Sequence, residues 1–308
     1  MKDKLLTYYK ELGINQIPDF LLKYLETKSM SRLKNIGYFC GMDYASKDVY
    51  DFAEDITRYD HSLTSSLMTW KLTKDETMTL AALHHDVSTP CFSHVIDYMF
   101  KDYDKQETTE KYLSKMISSD SKLMSFLEKD QIDVEDIINF KKYTIVDNER
   151  PKSCVDRIDG VILTGIGWTK NISKEDIRLI VSDLDVYTNE YNEQEIGFKN
   201  YDVAKKVVDI SDSIDLACHS NEDKYMMELL ACITKLAIKK KYIKYEELYQ
   251  LTEGQIFNIL SNTSNVEMIV LLHAFKNIKS KDIPNMELPN VKSRKLVPLV
   301  NGKRFTLF

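Results

Sequence analysis

The chain has 308 residues, 43% hydrophobic and 29% charged, with a net charge of −6. That mix belongs to an ordinary globular protein, and its weak acidity argues against bulk nucleic-acid binding, which needs a surplus of cations to meet the phosphate backbone. No run approaches the roughly 18 uncharged apolar residues of a membrane span, and the opening MKDKLLTYYKELG spreads its charges without the apolar stretch of a secretory signal, so a cytoplasmic protein is expected.

Nine glycines and six prolines leave the chain sparsely punctuated, which favours long helices. Leu63, Leu67, Trp70 and Leu72 recur at helical spacing and predict a helix over 61–72. A second follows over 75–85, with Thr73 expected as its N-cap. Further helical patterns run at about 107–118, 121–128, 150–164, 173–182, 201–219, 222–240 and 264–276. Segment 222–240, EDKYMMELLACITKLAIKK, is apolar nearly all round at its centre and is expected to be buried, its Met and Tyr residues packing in the core. Residues 185–198 alternate around a polar turn and predict a hairpin. In the tail, 295–308, Asn301-Gly302 between two apolar runs is the signature of a tight type I′ turn, and Pro298 is expected to confine the first strand to a sheet edge.

The five cysteines, Cys40, Cys91, Cys154, Cys218 and Cys232, are odd in number and lack CxxC spacing. They predict reduced thiols rather than a disulfide frame or a zinc ribbon. The fold expectation is all-α with small β-hairpin additions. Residues 1–290 form one helical domain, with C-terminal helices at about 200–280, and 291–308 form a hairpin tail.

Only six histidines occur, and three of them, His84, His85 and His94, fall within TLAALHHDVSTPCFSH, residues 79–94. His61 opens the preceding helix, three residues after Arg58, and Asp156 and Asp159 occupy the first turns of a later one. A divalent metal takes imidazole nitrogen and carboxylate oxygen at about 2.0–2.2 Å. His61, His85, Asp86 and Asp156 offer two of each. Adjacent residues on a helix point about 100° apart, so His85 and Asp86 converge on one ion only where the helix ends. Pro90 supplies that end, because proline disfavours helix at the residue before it. Four protein ligands on an ion that prefers six leave room for water and substrate. A His or Asp at a helix end is often a cap, but here His, His-Asp and Asp-Arg recur in order, each at a helix terminus or first turn.

These stretches, SRLKNIGYF (31–39), RYDHSLTSS (58–66), ALHHDVSTPCFSH (82–94) and CVDRIDGVI (154–162), run in the order of the motifs of the HD-domain metal-dependent phosphohydrolases. The chain resembles that superfamily over about residues 30–240, and is most similar to its deoxynucleoside-triphosphate triphosphohydrolase branch. The resemblance implies an HD-type helical fold with a metal core over about 30–165. It implies metal ligands at His61, His85, Asp86 and Asp156, with His84 on the motif's leucine position. It implies phosphate-binding roles for Arg58, His94 and Arg157, and a weaker match sets Asn35 where a glutamine touches the sugar. His219 falls where triphosphohydrolases have a histidine near the active-site rim, and equally where a helix is capped. His273 is expected to pack in the core, and Asp60 and Asp159 to cap or to orient ligands.

The departures point the other way on substrate. Thr89 replaces a motif histidine, Gln106-Glu107 stand where a His-Glu pair is expected, and Gly160 replaces the tyrosine that packs on the deoxyribose. Glu107 is then the candidate for proton transfer, beside catalytic roles for His94 and Arg58. No histidine lies between His94 and Asp156, which favours a mononuclear site over a dinuclear one. The resemblance therefore implies a metal-dependent phosphohydrolase holding one divalent transition ion, Mn, Fe, Ni, Co or Zn. Its substrate is a small phosphorylated molecule of the nucleotide class, though not an ordinary deoxynucleoside triphosphate. The rivals are a nucleotide sensor or partner-binding module that keeps the metal without turnover, and a purely structural metal. Oligomeric state is not written in the sequence, although the tail and the long C-terminal helices offer a surface for a homo-oligomer.

Overall fold

The computed structural model describes residues 3–103, 112–287 and 291–306. Among these, helices follow one another as α1 (Asp3–Leu12), α2 (Asp19–Leu22), α3 (Lys28–Leu33), α4 (Arg58–Thr73), α5 (Glu76–His84), α6 (Val95–Phe100), α7 (Leu113–Ser119), α8 (Ser121–Lys129), α9 (Val134–Ile138), α10 (Val155–Gly167) and α11 (Lys174–Asp183). Strands β1 (Leu184–Thr188) and β2 (Gln194–Phe198) interrupt the series. Then come α12 (Tyr201–Cys218), α13 (Asn221–Lys239), α14 (Glu253–Ser261) and α15 (Val266–Asn277), and finally β3 (Leu299–Val300) and β4 (Lys303–Arg304). The expected architecture, helical with small β additions, is what forms.

Local chemistry fixes the elements that carry the site. Thr57 and Asp60 form a capping box at the start of α4, satisfying two of the backbone N–H groups that a helix start leaves without partners. Arg58 N donates to Ile36 O at 2.9 Å, tying that turn to the preceding segment. The next helix is capped by Asp75, which accepts from Met78 N at 2.8 Å. Thr73 instead ends α4, its hydroxyl donating to Thr69 O. The expected cap is off by two residues because aspartate satisfies the N3 amide at least as well as threonine. Helix α10 begins at Val155, later than expected, since 143–152 is spent on turns. Leu67, Met68, Leu80 and Leu83 are fully buried where α4 packs along α5. Each contributes roughly 1.5–3 kcal/mol by leaving water.

The apolar side chains gather in two clusters. The larger includes residues of α1, α4, α5, α8, α10, α11 and α12. The second includes residues of α6, α13, α14 and α15. Phe52 and Trp168 pack against both, so a seam runs between them. Helix α13 buries Met226, Leu230, Ile233 and Ala237 in this second cluster, while Cys232 stays exposed.

The predicted 185–198 hairpin is β1–β2, with Val186 opposite Ile196. The tail hairpin turns at Asn301 and Gly302, both with positive φ, as a type I′ turn requires. Its first strand is not an edge, however. The sheet order is β1-β2-β3-β4, and β3 pairs parallel with β2. Pro298 is tolerated because it stands just before β3, where its carbonyl accepts from Phe305 N at 2.8 Å. Arg304 locks the sheet with two hydrogen bonds, at 2.6 and 2.9 Å, to the fully buried carboxylate of Glu195. Among the described residues no helix is long and apolar enough to cross a membrane.

Candidate metal centre

Three elements deliver the polar side chains to one place. Arg58 and His61, three residues apart at the start of α4, share a face. His85 and Asp86 follow the last turn of α5, where Val87 N and Thr89 N close turns onto His84 O and Asp86 O. Asp156 and Asp159, again three apart, share a face of the first turns of α10.

The distances are short. The Nε2 atoms of His61 and His85 lie 3.2 Å apart. Asp156 Oδ1 lies 3.0 Å from the first and 3.5 Å from the second. Asp86 Oδ2 stands 3.9 Å from His61 Nε2. Ligand atoms of His61, His85 and Asp86 all fall within 4.8 Å of one another. Donors bonded to one ion at about 2.0–2.2 Å stand roughly 3 Å from their neighbours, so the spacing and the mixed imidazole–carboxylate chemistry fit a divalent transition metal.

The far edges of both imidazoles are anchored. His85 Nδ1 donates to Ala82 O at 2.7 Å. His61 Nδ1 meets Asp159 Oδ2 at 2.7 Å, and the Tyr8 hydroxyl donates to the other oxygen of that fully buried carboxylate at 2.5 Å. Both Nε2 atoms are thereby turned toward the ligand cluster, the arrangement that orients metal-binding histidines. Asp60, by contrast, is spent on the Thr57 cap and on Tyr9 OH.

The charges follow from this packing. Burial opposes a proton on His61, but hydrogen bonds to Asp156 and Asp159 outweigh it and lift the imidazole to about 10. His85 is raised as well: burial opposes its charge, and Asp86 and Asp156 prevail. Burial would raise Asp86, yet Arg58 and the two histidines hold it well below the usual carboxylate range. Asp156 is likewise held low against burial by hydrogen bonds to His61 and His85.

This cluster opens into a cavity of about 1110 Å³ on the seam between the two apolar clusters. Arg58 lines it, its side chain 9% exposed, donating to Asp86 Oδ2 at 2.9 Å and lying 5.0 Å over the Tyr38 ring. His94 also lines it; Asp97 holds its Nδ1 at 2.9 Å, and burial keeps the imidazole below its usual pKa. Nδ1–H toward Asp97 leaves Nε2 as the available atom. Arg157 borders the same space, but its guanidinium donates to the carbonyls of Asn148 and Lys152 and so braces that loop. Gly160 lines the cavity too, and a Cβ there would come within 3.2 Å of the Tyr38 hydroxyl. A tyrosine from another segment thus borders the position where the resemblance expects one.

Other expected positions fall elsewhere. Asn35 is exposed and outside the cavity lining. Glu107 and Gln106 lie outside the described residues. His84 is buried with Nδ1 on Leu80 O. His219 caps α12, bonding Asp215 O and Val291 O at 2.6 and 3.2 Å. His273, expected in the core, is exposed on α15. That helix buries Met268, Leu272 and Phe275, and residue 273 points off their stripe.

Sequence reasoning missed Arg150, Lys292 and Arg294, which line the cavity with the metal cluster. The first sits in the loop before α10. The other two arrive on the segment before β3, and no local pattern announced that this stretch returns to the site.

No family model matches the chain. It is 25% identical over 264 residues, 84% of its length and 76% of the relative's, to Uncharacterized protein YdhJ of Bacillus subtilis. It is 21% identical over 249 residues, 79% of its length and 70% of the relative's, to Metal-dependent phosphohydrolase cns2 of Cordyceps militaris.

Proposed function

We propose that this chain is an HD-type metal-dependent phosphohydrolase that cleaves a phosphoester or phosphoanhydride of a small phosphorylated molecule of the nucleotide class. The observation that carries the reading is the convergence of His61, His85, Asp86 and Asp156 beside Arg58 at the wall of a cavity that can admit such a substrate. The name of the Cordyceps relative supports it, and the ordered motifs support the HD assignment.

His61, His85, Asp86 and Asp156 hold the ion, a single Mn, Fe, Ni, Co or Zn. When bound, the ion supplies a water of lowered pKa and a Lewis acid for phosphoryl oxygen. The protein's own groups do the rest. Arg58, rigid between Asp86 and Tyr38, presents a buried guanidinium to the phosphate and offsets charge that grows in the transition state. Arg157 fixes the loop at the cavity wall and adds positive potential there. His94, held by Asp97, exposes Nε2 to the cavity and carries a proton to or from the reacting phosphate. Glu107 is the alternative proton carrier.

Purified protein supplied with Mn²⁺ is expected to release phosphate or pyrophosphate from members of a panel of nucleotides and phosphomonoesters. Chelator should stop that release and added metal should restore it. If every compound stays intact with each of the five metals, hydrolysis is not the function. Nucleotide that raises the melting temperature without being consumed would instead identify a sensor.

A further inference from the structure

The cavity follows helix α10 from one end to the other. Asp156, Gly160, Thr164 and Trp168, at successive four-residue steps, all line it. At about 1.5 Å per residue, the backbone of Trp168 stands roughly 18 Å along the axis from that of Asp156. At the first end Asp156 joins His61 and His85. At the other, the Trp168 ring lies 5.9 Å from the Tyr50 ring and 6.4 Å from the Phe52 ring, centroid to centroid. Tyr50 and Phe52 stack at 5.4 Å, and Phe52 and Phe39 at 4.2 Å. All four rings line the cavity. A molecule that touches both ends is therefore long, with its phosphate at one and a different group at the other.

Beside these rings stands a carboxylate. Tyr50 OH donates to Asp223 Oδ1 at 2.6 Å, and Asp223, in the first turn of α13, is buried and also lines the cavity. Burying a carboxylate costs free energy unless hydrogen-bond donors meet it. A carboxylate has about four acceptor positions, of which Tyr50 OH takes one. Burial raises Asp223 to about 7, against the Tyr50 hydrogen bond and the charges of Arg294 and His219, which lower it. Flat rings offer faces for stacking, and the carboxylate offers acceptors at their edge. One ligand chemistry meets both: a planar heterocycle that stacks by its face and donates N–H from its edge. A sugar phosphate alone lacks the flat face, and an acyl chain lacks the donor.

We infer that Trp168, Tyr50, Phe52 and Asp223 form a ring-binding site at the end of the cavity away from the metal cluster, with Asp223 reading an N–H donor on a nucleobase. Resting on the phosphohydrolase reading for the other end, this narrows the substrate class to nucleotides whose base carries an amino group or ring N–H.

The chain has two tryptophans, and Trp70 packs on Phe20 at 5.2 Å, so Trp168 serves as a reporter. The full chain, held in chelator above the pKa of Asp223, is titrated with adenosine, guanosine and purine riboside 5′-monophosphates while tryptophan fluorescence is followed. Adenosine or guanosine monophosphate is expected to quench Trp168 and to bind about tenfold tighter than the purine riboside compound, which has no N–H on its base. Trp168→Phe should abolish the quenching and Trp70→Phe should leave it. Asp223→Asn can still accept from Tyr50 OH, so it should melt near wild type yet lose the tenfold gap. A merely structural Asp223 would not produce that base-specific change. Equal affinity for all three compounds, or a gap that survives in Asp223→Asn, would overturn the ring site. With Mn²⁺ restored, the better nucleotide is expected to exceed ribose 5-phosphate about tenfold in kcat/KM. Equal turnover of the two would overturn the ring site while leaving hydrolysis standing. Base-specific quenching with no compound hydrolysed would keep the ring site and remove the phosphohydrolase reading.

Discussion

Asp86→Ala is expected to reduce phosphate release by about a thousandfold or more. A metal contributes several kcal/mol of transition-state stabilisation, and each 1.36 kcal/mol is a factor of ten in rate. Asp86 has two duties that alanine removes together. It supplies a carboxylate to the cluster with His61 and His85, and it accepts from the buried guanidinium of Arg58 at 2.9 Å. Without it, Arg58 keeps a buried charge whose closest carboxylate is gone, so the phosphate-facing fork also loses its fixed direction. Asp86→Asn separates these effects, since the amide oxygen can still accept from Arg58 while the ligand charge is lost. Both variants should lose turnover, and Asn should melt nearer to wild type. Release at the wild-type rate from either variant, with contaminating phosphatase excluded by a chelator control, would remove Asp86 from the chemistry.

The second large effect is expected one step back from the ion. Asp159→Asn should weaken Mn²⁺ binding about 10–100-fold at alkaline pH, the usual consequence of removing the group behind a ligand histidine. The carboxylate accepts from Tyr8 OH and faces His61 Nδ1 in a fully buried place, and the amide carries no charge with which to raise the basicity of the ring. The pH dependence carries a second signature. His61 has a folded pKa of about 10 against an ordinary 6.5. Its protonation therefore stabilises the fold fully below 6.5, and that stabilisation is lost as pH rises through about 10. Metal must displace this proton, so wild-type affinity should climb with pH across the same window. In Asp159→Asn the proton is held less tightly, so the climb should finish at lower pH and the deficit against wild type should narrow toward pH 6.5. Calorimetric titration across the window reads both. Wild-type affinity in the variant at the alkaline end would show that Asp159 does not orient the ligand. Asp159→Ala is a harsher change, leaving Tyr8 OH and His61 Nδ1 buried without the carboxylate they share, at a cost of about 3–5 kcal/mol.

Much of this arrangement was legible in the residues. His61, His85, Asp86 and Asp156 lie in three short stretches whose caps and turns are local, so their order along the chain carried over into their grouping in space. The sequence also placed Asp156 and Asp159 in the first turns of one helix, although only the structure assigns one carboxylate to each edge of the His61 ring. Long-range placement was not legible. Lys292 and Arg294 reach the cavity because Ser211, Asp215 and His219, on α12 and at its end, grip the segment before β3, and those bonds join residues 72 to 83 positions apart. The parallel pairing of β2 with β3 spans about a hundred residues, so Pro298 was assigned to an edge that β2 in fact covers. His273 failed for a simpler reason. In MIVLLHAF nearly every neighbour is apolar, and composition alone does not tell which side of α15 meets the core.

The most direct measurement is elemental analysis of protein expressed with ample manganese, iron, nickel, cobalt and zinc, combined with anomalous diffraction at the absorption edge of whatever metal is found. One transition ion per chain is expected, with its anomalous peak among His61 Nε2, His85 Nε2, Asp86 and Asp156. Metal-replete protein with no stoichiometric ion, or a peak anywhere else in the molecule, would contradict the metal centre and everything proposed for its chemistry.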